Sequence, residues 1–574
     1  MKNYVRILAL VLCIVLLTLA FASCGKRNKD ATATTTAPST TVPGSENTGS
    51  GSTSTQKPAT TGRDWEPVAK EIRSYAAANK ALKFRLDSFT NPERIAQNDV
   101  YLAGPDEVEE GVSSAIAEMV YWRNHNAMND LGVTVEYSYM DKGWNSQCDE
   151  IVTLVQGNAA DAPDLFVNMV FDLNIALKTQ GVFKDIWHIP GSFFDWSARG
   201  WMKDWMESYS FTGDRAYVLA GDYFLDILRA MSVLPFNLTM MDANADKLAS
   251  AICDPDEPLQ AGENLSTRFF DFVEEEKWTW EVLGRLCEAI WVDTDGSGAD
   301  SIGDTLGFVT DRYSGMPAAL ILFSTGEELT TTSKDETTGR DWIYINEDST
   351  ALGRIFDAVK GVVEGSGSFI TCDTTSQGST IDQPGIAYHQ IKFSEDTLLF
   401  CGPQLLGALE GDAFQQMQST YSVVPLPKVD ATKEYNTIVH NTADCGAINV
   451  NANPQKTRVV SAYLQHCVEN SWDIRDEFLQ TVTKYRTTTY NQGTSRMLDL
   501  IYDHLTNARD KGIEDAAERK SGERYHGKLK DNEFVWGSAD VVSWFESNRA
   551  TKQGRIDDVL EKWYQLPGGP ETAE

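Results

Sequence analysis

The run Asp293-Thr294-Asp295-Gly296-Ser297-Gly298-Ala299-Asp300-Ser301-Ile302-Gly303-Asp304 has residue types and spacing suited to a hard cation. Asp293, Asp295, Ser297, Ser301 and Asp304 would offer side-chain oxygens, Ala299 its backbone carbonyl, and Gly298 falls where a calcium loop turns sharply. Two residues depart from that pattern. Asp300 stands where such loops usually carry an apolar side chain, and Asp304 is shorter than the usual closing glutamate. The competing reading is an acidic turn. A second chemistry is legible at Phe21-Ala22-Ser23-Cys24-Gly25, where small residues precede a cysteine whose thiol can carry a thioether-linked diacylglycerol.

Catalytic chemistry leaves no such trace. The sequence contains no GxSxG or HExxH, and its seven histidines are few for acid–base work. With 83 Asp and Glu residues, paired carboxylates are unavoidable and do not argue for a glycosidase. After Cys24 the cysteines are Cys148, Cys253, Cys287, Cys372, Cys401, Cys445 and Cys467. They are odd in number, widely spaced and without a CxxC pair, so neither a disulfide framework nor a zinc site is indicated. Cys287 and Cys467 lie in helical apolar patterns and are expected in the core. The net charge of −33 disfavours nucleic acid as a partner.

The elements that would position a site come next. Residues 1–23 read as a signal peptide: Lys2 and Arg6, then an apolar run from Ile7 to Phe21 too short to span a bilayer comfortably. Residues 24–62, rich in Ser, Thr, Gly and Pro, cannot bury enough surface to offset their ordering entropy and read as a tether. The remaining body, about 510 residues, is long enough for two lobes. Within it, strands are predicted at 81–86, 132–137 and 164–168, and helices at 112–130, 148–157 and 174–181. This βαβαβ rhythm predicts a parallel sheet clothed by helices, with ligands beyond the carboxyl ends of the strands.

Several segments carry a resemblance. Ile151-Val152-Thr153-Leu154-Val155-Gln156-Gly157, then Ala162-Pro163-Asp164-Leu165-Phe166 and Gln180-Gly181-Val182-Phe183-Lys184-Asp185-Ile186, are similar to the opening lobe of bacterial extracellular solute-binding proteins. Ala216-Tyr217-Val218-Leu219, Phe236-Asn237, Trp280-Glu281-Val282-Leu283, Asp304-Thr305-Leu306-Gly307-Phe308 and Tyr421-Ser422-Val423-Val424-Pro425-Leu426-Pro427-Lys428 follow in that family's order. Within the family the chain resembles the carbohydrate-binding branch that includes maltose-binding protein, over residues 80–565. The stretches 187–215 and 325–390 are longer than in compact relatives.

What the resemblance implies is a two-lobed α/β periplasmic-binding-protein fold, each lobe a mostly parallel sheet flanked by helices, with the ligand cleft between them. It divides the body into 63–220 and 429–480 for the first lobe and 221–428 for the second, with 481–574 as C-terminal helices mainly on the second. It implies a membrane-anchored, extracellular carrier that delivers a mono- or oligosaccharide to ABC permease subunits, needs no cofactor apart from a candidate structural calcium, and is not an enzyme. Sugar contacts are expected at Trp144, Asn168, Phe171, Asp172, Asp222, Tyr223, Phe534 and Trp536. Each aromatic has core packing as its alternative. A ligand sensor, a peptide binder and, more remotely, a surface glycoside hydrolase are the competing functions.

Overall fold

The computed structural model describes residues 63–88, 90–105, 114–143, 146–158, 162–174, 181–311, 315–371, 388–484, 492–506, 509–518, 523–535 and 537–569. Cys24, Trp144, Trp536, Cys372 and most of the helix predicted at 174–181 lie outside them. Contacts divide the chain into Met1–Thr61 and Gly62–Glu574, and all described residues belong to the second unit.

The first sheet holds β1 (Ala81–Leu86), β2 (Thr134–Tyr139), β3 (Leu165–Met169) and β13 (Asp444–Ile448), in the order β13-β3-β1-β2. β1 runs parallel to both β2 and β3, with Leu86 opposite Tyr139 and Val167, whereas β13 joins β3 antiparallel. The predicted rhythm is therefore present from β1 to β3, with boundaries moved by up to three residues. The helix Ala115–Leu131 starts where the Ser114 side chain accepts from the Ala117 amide, and it stops at Gly132. Gly132 has φ +68°, a left-handed conformation that glycine adopts without steric cost. That residue ends the helix rather than starting β2. Every residue of β3 and β13 is buried, as expected for strands covered on both faces.

The second sheet takes the order β10-β4-β9-β5-β8 from β4 (Ser232–Asn237), β5 (Leu306–Asp311), β8 (Ser368–Thr371), β9 (Leu398–Cys401) and β10 (Gln404–Leu405), while β11 (Tyr421–Val424) also pairs with β4. β5 is parallel to β8 and β9, and β4 is antiparallel to its neighbours. An aromatic core fills this sheet's helical cover: Trp278 stacks on Phe400 at 5.4 Å, and Phe269 meets both edge-on. Cys287 and Cys467 are fully buried, as their patterns predicted. Two minor pairs complete the strands: the hairpin β6 (Thr330–Lys334) with β7 (Asp341–Ile345), and β12 (Thr437–Ile438) with β14 (Leu505–Thr506). The body is thus two α/β lobes, each built on its own mixed sheet.

The last helix, Val541–Trp563, packs on β7 and on the helix Ala351–Glu364 of the second lobe. Its end reaches the first. Trp563 lies against Phe211 and Tyr217, the Tyr217 hydroxyl donates to Pro567 O, and the Gly569 amide donates to Asp185 Oδ2. The stretch 187–215 supplies part of that landing surface, through Phe211 and Thr212.

Candidate functional site

At the carboxyl edge of the first sheet, four chain segments deliver polar side chains to one place. Asp87 follows β1, and its amide donates to Val167 O of β3. Gln147 and Cys148 open the helix Gln147–Gly157. Asn168 lies near the end of β3, with Asp172 in the helical turn that follows, and Asp444 begins β13 opposite Met169. All but Cys148 are nearly or wholly inaccessible.

One chain of hydrogen bonds orders them. Gln147 Nε2 donates to Asp87 Oδ1 at 2.6 Å, and Asn168 Nδ2 donates to Gln147 Oε1 at 2.5 Å. Arg94 closes the other side, with Nε 2.7 Å from Asp87 Oδ2, Nη2 2.7 Å from Asp444 Oδ1, and both terminal nitrogens on Asp226. Burial pushes Asp444 well above the ordinary carboxylate range against the pull of Arg94, and the charges of Asp87 and Asp226 push the same way. Asp226 stays below that range despite burial, because Arg94 and Arg229 face it. Arg229 in turn reaches Glu410 at 2.9 Å, as does the Tyr101 hydroxyl at 2.8 Å, tying this edge to the turn Leu406–Glu410 beside the second sheet.

Four buried oxygens here have no hydrogen-bond partner among the described residues: Asn168 Oδ1, both oxygens of Asp172, and Asp444 Oδ1, of which only the last has a cation against it, the Arg94 guanidinium. Burial first, and the Asp87 charge second, push Asp172 up to about 6, against weaker lowering by the Cys148 amide and thiol, whose contacts fall outside hydrogen-bond geometry. Unmatched acceptors are costly in a protein interior, and they cluster where a ligand can supply the missing donors.

The expected contacts separate into groups. Asn168, Phe171 and Asp172 sit together at this edge, with Phe171 half-buried and its amide donating to Asn441 O. Tyr223 is fully buried, in a triad where its hydroxyl meets Tyr137 at 3.3 Å and Tyr137 meets Tyr463 at 3.0 Å; Arg123 lies over its ring. Asp222 is also fully buried, accepting from Tyr502 at 2.9 Å with its second oxygen unpartnered. Phe534 packs edge-on between Phe356 and Trp544, far along the chain from the first-sheet edge and within the second lobe's helices. Sequence reasoning missed Asp87, Gln147, Arg94, Asp226 and Asp444. Only Asp87, placed immediately after a predicted strand, carried a signal that could have found it.

Around Asp293 the carboxylates of Asp293, Asp295 and Asp304 come within 4.8 Å of one another. The amides of Gly296, Ser297 and Gly298 donate to Asp293, and those of Thr294 and Ser301 to Asp304. Ser297 Oγ donates to Ala299 O at 2.9 Å. The donor set, hard oxygens gathered by a glycine-bearing turn, fits calcium better than a softer metal. Asp300 does not join it; its carboxylate accepts from the Gly367 amide at 2.8 Å.

No protein-family profile matches the chain, and no curated protein sequence matches it. Solved structures do. One is the cyclic alpha-maltosyl-1,6-maltose binding protein of Arthrobacter globiformis, with TM-score 0.44 and 11% identity, covering 83% of this chain and 99% of that one. Another is a family 1 extracellular solute-binding protein of Bifidobacterium longum subsp. infantis, with TM-score 0.42, 12% identity and coverage of 85% and 99%. A third is the galacto-N-biose/lacto-N-biose I-binding protein of the ABC transporter from Bifidobacterium longum, with TM-score 0.41, 12% identity and coverage of 84% and 97%. The two-lobed α/β architecture stands on the strand orders themselves.

Proposed function

We propose that the protein is a solute-binding protein that captures a small, hydroxyl-rich solute, a mono- or oligosaccharide, and presents it to an ABC importer. The observation that carries this reading is the set of unpartnered buried acceptors, Asn168 Oδ1 and the Asp172 carboxylate, beyond the carboxyl ends of parallel strands. Ligands of open α/β sheets bind there, and sugar hydroxyls are the donors such acceptors need. Binding in a cleft between two lobes would shift the protein towards a closed state that a permease can recognise. Among the described residues no helix is long and apolar enough to cross a membrane, which suits a body held at the outer membrane face by a lipid on Cys24.

A thermal-shift screen against saccharides and short peptides tests the ligand class, since a bound ligand raises the melting temperature by mass action. Stabilisation by peptides alone would refute it. Cys24→Ala should release the protein from the membrane or leave it unprocessed. We further propose calcium at Asp293, Asp295 and Asp304, with Ser297, Ser301 and the Ala299 carbonyl as further ligands. A chelator should then lower the melting temperature of the wild type and leave Asp293→Ala unchanged.

A further inference from the structure

The orientation of Asn168 is dictated by its neighbours. Asp87, with Arg94 on its other oxygen, accepts from Gln147, so Gln147 turns its amide nitrogen towards it and its oxygen towards Asn168. Asn168 must then turn its own nitrogen to Gln147, which leaves Oδ1 on the other branch as a bare acceptor. The edge is thus fixed as acceptor-only: Asn168 Oδ1, Asp172 Oδ1 and Asp172 Oδ2, all on side chains with no exposed surface.

Charge narrows the complement. The groups acting on Asp172 are the Asp87 and Asp149 carboxylates, which disfavour its ionised form, and the Cys148 amide and thiol. The nearby guanidinium of Arg94 is committed to Asp87, Asp226 and Asp444. A hydroxyl brings one donor and no charge, and it leaves the carboxylate uncompensated. An ammonium brings three donors, no acceptor and the missing positive charge. A divalent metal is a poorer fit: the described carboxylates that converge closely enough to hold one are Asp293, Asp295 and Asp304.

Granting that the Asn168–Asp172 edge is the ligand site, the geometry points to an amine-bearing saccharide as the solute, its ammonium paired with Asp172 and hydrogen-bonded to Asn168 Oδ1. The acidity of Asp172 then governs selectivity. Pairing with an ammonium requires the ionised carboxylate, so affinity for the amine falls about tenfold per pH unit below about 6, while a neutral hydroxyl analogue is held with much less dependence on pH.

The test is titration calorimetry with matched probes that differ only in NH₃⁺ against OH: glucosamine and glucose, galactosamine and galactose, and the β-1,4-linked glucosamine disaccharide and cellobiose. At neutral pH the amine member of at least one pair should bind tenfold or more tightly than its partner. Its advantage should vanish below about pH 5 and in Asp172→Asn. That isosteric variant should melt no lower than the wild type, because it removes a buried charge that lacks a cation, so lost binding will not reflect misfolding. Equal affinity within every pair that binds would overturn the amine inference and leave the saccharide reading intact. Binding that is indifferent to Asp172→Asn, or no binding by any probe, would overturn the placement of the site and the inference with it.

Discussion

Asp222→Asn offers a direct measure of what a buried carboxylate does in this protein. Asp222 is fully buried, accepts one hydrogen bond from Tyr502, and keeps its second oxygen unpartnered beside Gly200. Burial raises it from 3.8 to about 7, against the lowering pull of Arg475, Tyr502 and Arg199. At about 1.4 kcal/mol for each tenfold change in proton affinity, the rise from 3.8 to about 7 corresponds to roughly 4 kcal/mol. The sign follows from proton uptake. Between about pH 4 and pH 7 the folded state binds this proton and the unfolded state does not, so stability is lost as pH rises through that window. Asn keeps the acceptor for Tyr502 and cannot titrate. Denaturant unfolding of the wild type and the variant, in steps across that range, should show the variant gaining on the wild type by up to about 4 kcal/mol, with the gain levelling off above about pH 7. Asp172 and Asp510 are raised as well, but they tilt both proteins alike, and the difference isolates Asp222. Adding Tyr502→Phe to the wild type removes a group that favours the ionised form and should move the inflection upward. Parallel stability profiles would refute the assignment of a buried, protonatable Asp222.

Gly307→Ala should destabilise by at least about 1–3 kcal/mol, read as a lower unfolding midpoint, because a β-carbon there would lie 2.4 Å from Cys287 Cα, a backbone atom of the helix Trp280–Ile290 that cannot step aside. Thr279→Ala removes the side chain that caps that same helix by accepting from the Val282 amide, and should cost about 1 kcal/mol by the same measurement. Trp278→Ala should cost about 3–5 kcal/mol, since the ring stacks on Phe400, meets Phe269 edge-on and donates its Nε1–H to Pro425 O.

The first lobe was largely legible because its signals are local. Alternation in Ala81–Leu86 and the helical pattern before Gly132 were written in consecutive residues, although Gly132 itself reads as strand and proves to be the helix end. β13 was not, since Asp444–Ile448 is short and uniformly buried, without periodicity, and its partner β3 lies far earlier in the chain. The site divides in the same way. Asn168 lies at the end of a recognisable strand and Asp172 just beyond it, whereas the roles of Gln147, Arg94 and Asp226 exist only once distant segments meet. Position after a glycine turn suggested Tyr223 as a ligand contact, whereas its meeting with the Tyr137 hydroxyl, and that of Tyr137 with Tyr463, is visible only in the fold. Phe534 shows that a late aromatic is as readily an element of helix packing.

The two late additions to the first lobe, β13 at its sheet edge and residues 563–569 against Asp185 and Tyr217, fix the order in which the molecule can be assembled. As the chain emerges from a ribosome, its amino-terminal half has the parallel strands but neither the edge strand nor the carboxyl-terminal clasp. Nascent chains commonly complete their first domain first. Here the first lobe is finished last, and fragments that end before residue 444 should lack a complete first lobe.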